Sequence, residues 1–182
     1  MMKTSSRSQQ GVFLLEALIG ILVFSLGVLA MVALGTAAVS AQSDAQYRTQ
    51  AANLANEIAS LIALKVNRIE VPGSDSLETA QLTRTAVNDS LLPFRYHPVT
   101  AATCNFTGYE PPNTPETAFV AAWVNRATTD AETRLPGALS SGLQIDTTTL
   151  KDAGLSGVRV TVCWQGPTDK SVRSHTLVTY IN

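Results

Sequence analysis

Residues 11–35 read GVFLLEALIGILVFSLGVLAMVALG, and from Val12 to Gly35 every position is apolar, Gly or Ser except Glu16. As a helix rising about 1.5 Å per residue, that run is roughly 36 Å long. A bilayer's hydrocarbon core is only about 30 Å thick, so the run can span it with some excess for tilt. The residues before it, Met1–Gly11, carry Lys3 and Arg7 and no acid. By the positive-inside rule this places the N-terminus in the cytoplasm and everything beyond about residue 36 on the far side.

The chain has 182 residues, enough for one compact domain plus an anchor. Its net charge is −1 and only 15% of its residues are charged. No basic field exists to gather nucleic acid, and no such partner is expected. Cys104 and Cys163 both fall in the exported part. An even cysteine count in an oxidising compartment predicts a disulfide, with two buried thiols as the alternative. Neither cysteine has a neighbouring Cys or His at ligand spacing, so no metal is expected.

Three readings of the N-terminus compete. A cleavable secretory signal has the basic start, an apolar run and a small-residue site at Val39-Ser40-Ala41, which would leave Gln42 first. Ordinary signal cores, however, are about 7–15 residues long. An uncleaved signal anchor is the second reading. Neither explains Glu16: an acid at the centre of a membrane helix costs about 2.5–3.5 kcal/mol on insertion scales. The third reading does explain it. Cleavage between Gly11 and Val12 creates an ammonium four residues before Glu16, at the helix end whose dipole favours a carboxylate. A neighbouring subunit's amino terminus would then pair with the acid and set the axial register of a helical bundle.

The stretch Gly11-Val12-Phe13-Leu14-Leu15-Glu16-Ala17-Leu18 resembles the processing signal of type IV pilins and type II secretion pseudopilins. In that superfamily a prepilin peptidase cuts after the Gly and N-methylates the new first residue, usually Phe. The Glu at the fifth position of the mature chain promotes subunit docking. The resemblance thus implies leader cleavage at Gly11 and Val12, N-methylation of Val12, and docking through Glu16. Val12 stands where Phe is usual.

Beyond the apolar run, no Pro occurs before Pro72 and no Gly between Gly35 and Gly73. Thr36–Ile69 is rich in helix formers, and Tyr47, Ala51, Leu54, Ile58, Leu61, Ile62 and Ile69 recur at three- and four-residue steps. One helix is predicted from Val12 to about Arg68, ended by Pro72-Gly73-Ser74-Asp75-Ser76. Gly20, Gly27 and Gly35 suit close helix packing, with a locally loosened helix as the alternative. Thr79–Asn88 reads as a loop or short helix. The proline-bearing stretch Leu91–Asn113 reads as irregular, with an extended piece at Phe94–His97. Thr114-Pro115-Glu116 reads as a cap and first turn, leading a helix through Phe119, Val120, Trp123 and Val124 that fades near Thr128. Leu135-Pro136-Gly137 breaks the chain.

The last third reads as strands: Leu143–Thr147, Gly157–Gln165 and Ser174–Ile181, the last two joined by the turn Gly166-Pro167-Thr168-Asp169. Val158, Val160, Val162 and Trp164 share one face, which is expected to cover the helix stripe at Leu54–Ile62. Arg159, Thr161 and Cys163 share the other. The expected class is α+β, a long N-terminal helix packed on a small antiparallel sheet. That order resembles the type IV pilin fold. The stretches Leu14–Ile19, Arg48–Ala55, Leu135-Pro136-Gly137-Ala138 and Val158–Trp164 resemble the minor-pilin branch called PilV, the type IV pilus modification proteins.

No catalytic constellation appears, and neither an enzyme nor a cofactor is expected. His97, beside Pro98, and His175, at a strand start, read as surface residues. Asp130 and Glu132 lie in a polar loop without calcium-loop spacing. The domain reading is a leader at 1–11, a transmembrane helix half at 12–35, a periplasmic helix half at 36–70 and a globular head at 71–182. The resemblance implies a minor pilin that starts in the bacterial inner membrane with a periplasmic head and moves into the pilus. Its implied partners are other minor and major pilins, the prepilin peptidase and the inner-membrane pilus assembly machinery. It would prime pilus assembly at or near the fibre tip, supporting adhesion or twitching motility. The alternatives are a minor pseudopilin of type II secretion and a membrane-anchored periplasmic binding protein that never polymerises.

Overall fold

The computed structural model describes residues 10–67, 76–152 and 154–181. The leader residues 1–9, the expected helix end at Arg68 and Ile69, and most of the Pro72–Ser76 turn lie outside them. The class is α+β, with a long apolar N-terminal helix and a small antiparallel sheet. The chain divides into two units, Met1–Ser43 and Asp44–Asn182.

Helix α1 runs Gln10–Lys65. It begins two residues before the expected start at Val12, and Val66 and Asn67 already lie outside it. In the first unit it is apolar around its whole circumference, and residues 12–42 are exposed. In the second unit the pattern changes to a stripe: Ala51, Leu54, Ala55, Ile58, Ala59 and Ile62 are buried at three- and four-residue steps, while Asn53, Asn56 and Ser60 are exposed. That spacing is one face of a 3.6-residue helix.

The stripe joins a single core. Helix α2 (Ser76–Leu91) contributes Val87 and Leu91, and helix α3 (Ala118–Thr128) contributes Val120, Trp123 and Ala127. Strands β3 (Leu143–Asp146) and β4 (Gly157–Trp164) contribute Leu143, Ile145, Val158, Val160, Val162 and Trp164. The indole Nε1 of Trp123 donates to the Leu54 carbonyl at 2.9 Å, and Arg126 pairs with Glu57 on the surface beside it. Helix α3 starts at Ala118, three residues later than Thr114-Pro115 would place it. Residues 115–117 form a turn held by the Thr117 amide on the Thr114 carbonyl at 3.1 Å.

The sheet is antiparallel in the order β3-β4-β5, with β5 spanning Arg173–Tyr180. β4 is the central strand, and its alternation is as expected: Val158, Val160, Val162 and Trp164 are all buried. The opposite face is also covered. Thr161 and Cys163 are buried because a second, two-stranded sheet lies there, β1 (Val99–Ala102) paired with β2 (Asn105–Thr107). The Leu91–Asn113 stretch, expected to be mostly irregular, thus contains this short hairpin. Three connections hold it. Phe106 is buried. The Gln144 amide donates to the Pro98 carbonyl and to Thr100 Oγ1, each at 3.3 Å. Cys104 and Cys163 form a disulfide with Cα atoms 5.8 Å apart.

Two tight features shape the ends of the sheet. Gly137 adopts φ 62°, and a Cβ there would stand 2.9 Å from the Gln165 carbonyl oxygen; the position therefore requires glycine. Arg173 grips Asp169 with two parallel bonds, Nε to Oδ2 at 2.9 Å and Nη2 to Oδ1 at 2.8 Å. Its Nη1 reaches Asp44 Oδ2 at 2.8 Å. The β4–β5 turn is so fastened to the helix at the start of the second unit.

Candidate functional site

The feature with chemistry beyond packing is the first unit of α1. Between Val12 and Ser43 the only Asp, Glu, Lys or Arg is Glu16. Because the helix is continuous from Gln10, Val12 and Glu16 are an i, i+4 pair on one face, and both are exposed. The Gly11–Val12 peptide bond lies in the first turn of the helix. At 100° per residue, Glu16, Gly20 and Gly27 fall within about 40° of one another around the axis. A Cβ built at Gly20 or Gly27 meets nothing within 4 Å, so this side of the helix is open to close approach.

The helix is long and apolar enough to cross a membrane. Three of its hydroxyls are satisfied within it. Ser25 Oγ donates to the Ile21 carbonyl at 2.5 Å, Thr36 Oγ1 to the Ala33 carbonyl at 2.9 Å, and Ser43 Oγ to the Val39 carbonyl at 3.0 Å. Hydroxyls bonded back one turn place no orphan donor against an apolar surrounding. Glu16 differs: it is an acid on an apolar surface with no ion pair among the described residues.

The other residues singled out in the sequence have structural employment. His97 is not a surface residue: it is 8% exposed, at φ 44°. Its Nε2 lies 2.7 Å from Glu110 Oε1 and its Nδ1 3.2 Å from the Ser140 carbonyl. His175 sits on β5 opposite Val162. Asp130 Oδ1 accepts the backbone amides of Glu132 and Thr133 at 2.9 and 3.0 Å, so the carboxylate closes its own loop. Those amides hold its carboxyl below the ordinary range. Among the described residues no group of three or more His, Cys, Asp or Glu is placed to hold a metal ion.

One polar centre escaped the sequence reading. Asp146, 2% exposed, ends β3 and caps helix α4 (Thr148–Asp152). Its Oδ1 accepts the Thr148 amide at 2.8 Å, the Thr148 hydroxyl at 2.7 Å and the Thr149 amide at 3.2 Å, and its Oδ2 accepts the Thr149 hydroxyl. Burial works to raise its pKa, and these four hydrogen bonds outweigh burial and leave it below the ordinary carboxylate range. The signal was present as Asp146-Thr147-Thr148-Thr149, an acid followed by hydroxyls at a helix start. Comparison of the chain with protein-family models, with curated proteins and with solved structures finds no match.

Proposed function

We propose that this chain is a minor pilin of a type IV pilus. A prepilin peptidase cuts it between Gly11 and Val12 and methylates Val12. The mature chain stands in the inner membrane through α1, with its disulfide-bonded domain on the periplasmic side. It then joins other minor and major pilins, through the inner-membrane assembly machinery, to prime the fibre at or near its tip. The role is structural and not catalytic.

One observation carries this reading: Glu16, one turn from Val12, is the only charged side chain between Val12 and Ser43, the exposed apolar part of α1. A lone anchor gains nothing from an acid in that position. An assembling subunit gains a specific partner, since cleavage turns Val12 into an ammonium and each neighbour in a bundle presents one. The flanking glycines let such a neighbour come close.

The test is a Glu16→Ala variant expressed in place of the native chain. It should insert in the membrane and be processed normally, yet be lost from sheared filaments. Incorporation at the native level would refute docking through Glu16. Deletion of the chain should remove surface fibres and leave secretion of folded proteins intact; the opposite result would assign it to a type II secretion system.

A further inference from the structure

Among the described residues β5 has a neighbour on one side only. Its register with β4 runs unbroken from Gly157 opposite Tyr180 to Trp164 opposite Arg173. Just beyond it the Ile181 amide donates to the Ser156 carbonyl at 2.9 Å, which fixes the phase of the ladder. In an antiparallel pair the residues that face the partner strand alternate. Arg173, His175, Leu177 and Thr179 therefore turn their N–H and C=O groups toward β4. Ser174, Thr176, Val178 and Tyr180 turn theirs outward, and their side chains are exposed, Val178 by 40% and Tyr180 by 58%.

Natural sheets guard such an edge with proline, lysine, a bulge or an inward charge. From Ser174 to Tyr180 there is no Pro, Lys, Asp or Glu, and the pairing contains no bulge. The one arginine of the strand, Arg173, is already bound to Asp169 and Asp44. Arg159, across from Val178, lies 3.7 Å from Asp146. From Ser174 to Tyr180 the edge thus offers a row of backbone donors and acceptors roughly 20 Å long, lined with Ser, Thr, Val and Tyr and, among the described residues, carrying no uncompensated charge. A charged occupant would find no unpaired counter-ion among the described residues of this edge.

We propose that the outer edge of β5 is a docking site for an extended, uncharged segment of a partner chain, which adds as a fourth strand of the sheet. Main-chain bonds supply the affinity, and the alternate side chains Thr176, Val178 and Tyr180 supply the selectivity. The site does not depend on cleavage at Gly11.

The test is residue-resolved amide hydrogen exchange on the full chain in detergent micelles, with a blocked eight-residue peptide of alternating Thr and Val as the probe. Without peptide, the amides of Ser174, Thr176, Val178 and Tyr180 should exchange rapidly, and those of His175, Leu177 and Thr179 slowly. Saturating peptide should protect the first set. Val178→Pro removes one outward donor and no bond to β4, and should weaken peptide binding about tenfold. Val178→Lys, which leaves every backbone donor in place, should also weaken it and covers the case in which the proline variant does not fold. The proposal is overturned if the outward amides are already slow in dilute protein, if their protection rises with protein concentration alone, as for a second copy, or if saturating peptide leaves them unprotected.

Discussion

At the residue scale, Asp146 is a buried polar group that holds the second unit together. Its carboxylate ties the end of β3 to the first turn of α4 through four bonds from Thr148 and Thr149. Asp146→Ala should cost about 2 kcal/mol, the usual loss for a cap that is also a buried, charge-assisted acceptor. Because the folded pKa is depressed, this stability is fully present above the ordinary value of 3.8 and is lost as pH falls through the lower folded value. Urea unfolding of the native and variant chains should show the full gap at pH 7 and a shrinking gap below pH 3.8. A gap independent of pH would mean that packing, not the carboxylate charge, carries the effect. The cap was written in four consecutive residues, but the helix it starts is too short to show a period. His97 was less legible still. Its partners Glu110 and Ser140 are 13 and 43 positions away, and no local pattern encodes a bond of that range.

At the scale of elements, legibility follows burial. β4 alternates over eight residues with one face in the core, and α1 shows a sustained stripe; both were readable. β1 has all four residues exposed and β2 has one buried residue of three, so the hairpin had no alternation to reveal it. What secures that hairpin is the disulfide, which closes a loop of sequence separation 59. In the chain-entropy model such a closure contributes about 4 kcal/mol. Joint Cys104→Ser and Cys163→Ser replacement should lower stability by about that amount, measured by urea unfolding without reductant. A loss under 1 kcal/mol would mean that Phe106 and the Gln144 bonds suffice. Ile58 tests the stripe independently. It is fully buried in the core, and Ile58→Ala should cost about 3 kcal/mol in the same assay.

At the scale of the whole molecule, the two units ask different things of the sequence. The second is a domain whose core can be accounted for contact by contact. The first is a helix whose surface is apolar and exposed through residues 12–42, and its purpose depends on what surrounds it. There the sequence was more informative than the fold, because one acid in an apolar run calls for a partner and the neighbouring glycine marks where that partner's charge would be made. The proposed assembly therefore turns on a single covalent event, cleavage between Gly11 and Val12. Mass spectrometry of the mature N-terminus, on protein recovered from its native membrane, tests it most directly. The expected peptide begins at Val12 and is one methyl group heavier than its sequence. A peptide that retains Met1, or one that begins at Gln42, would contradict the account.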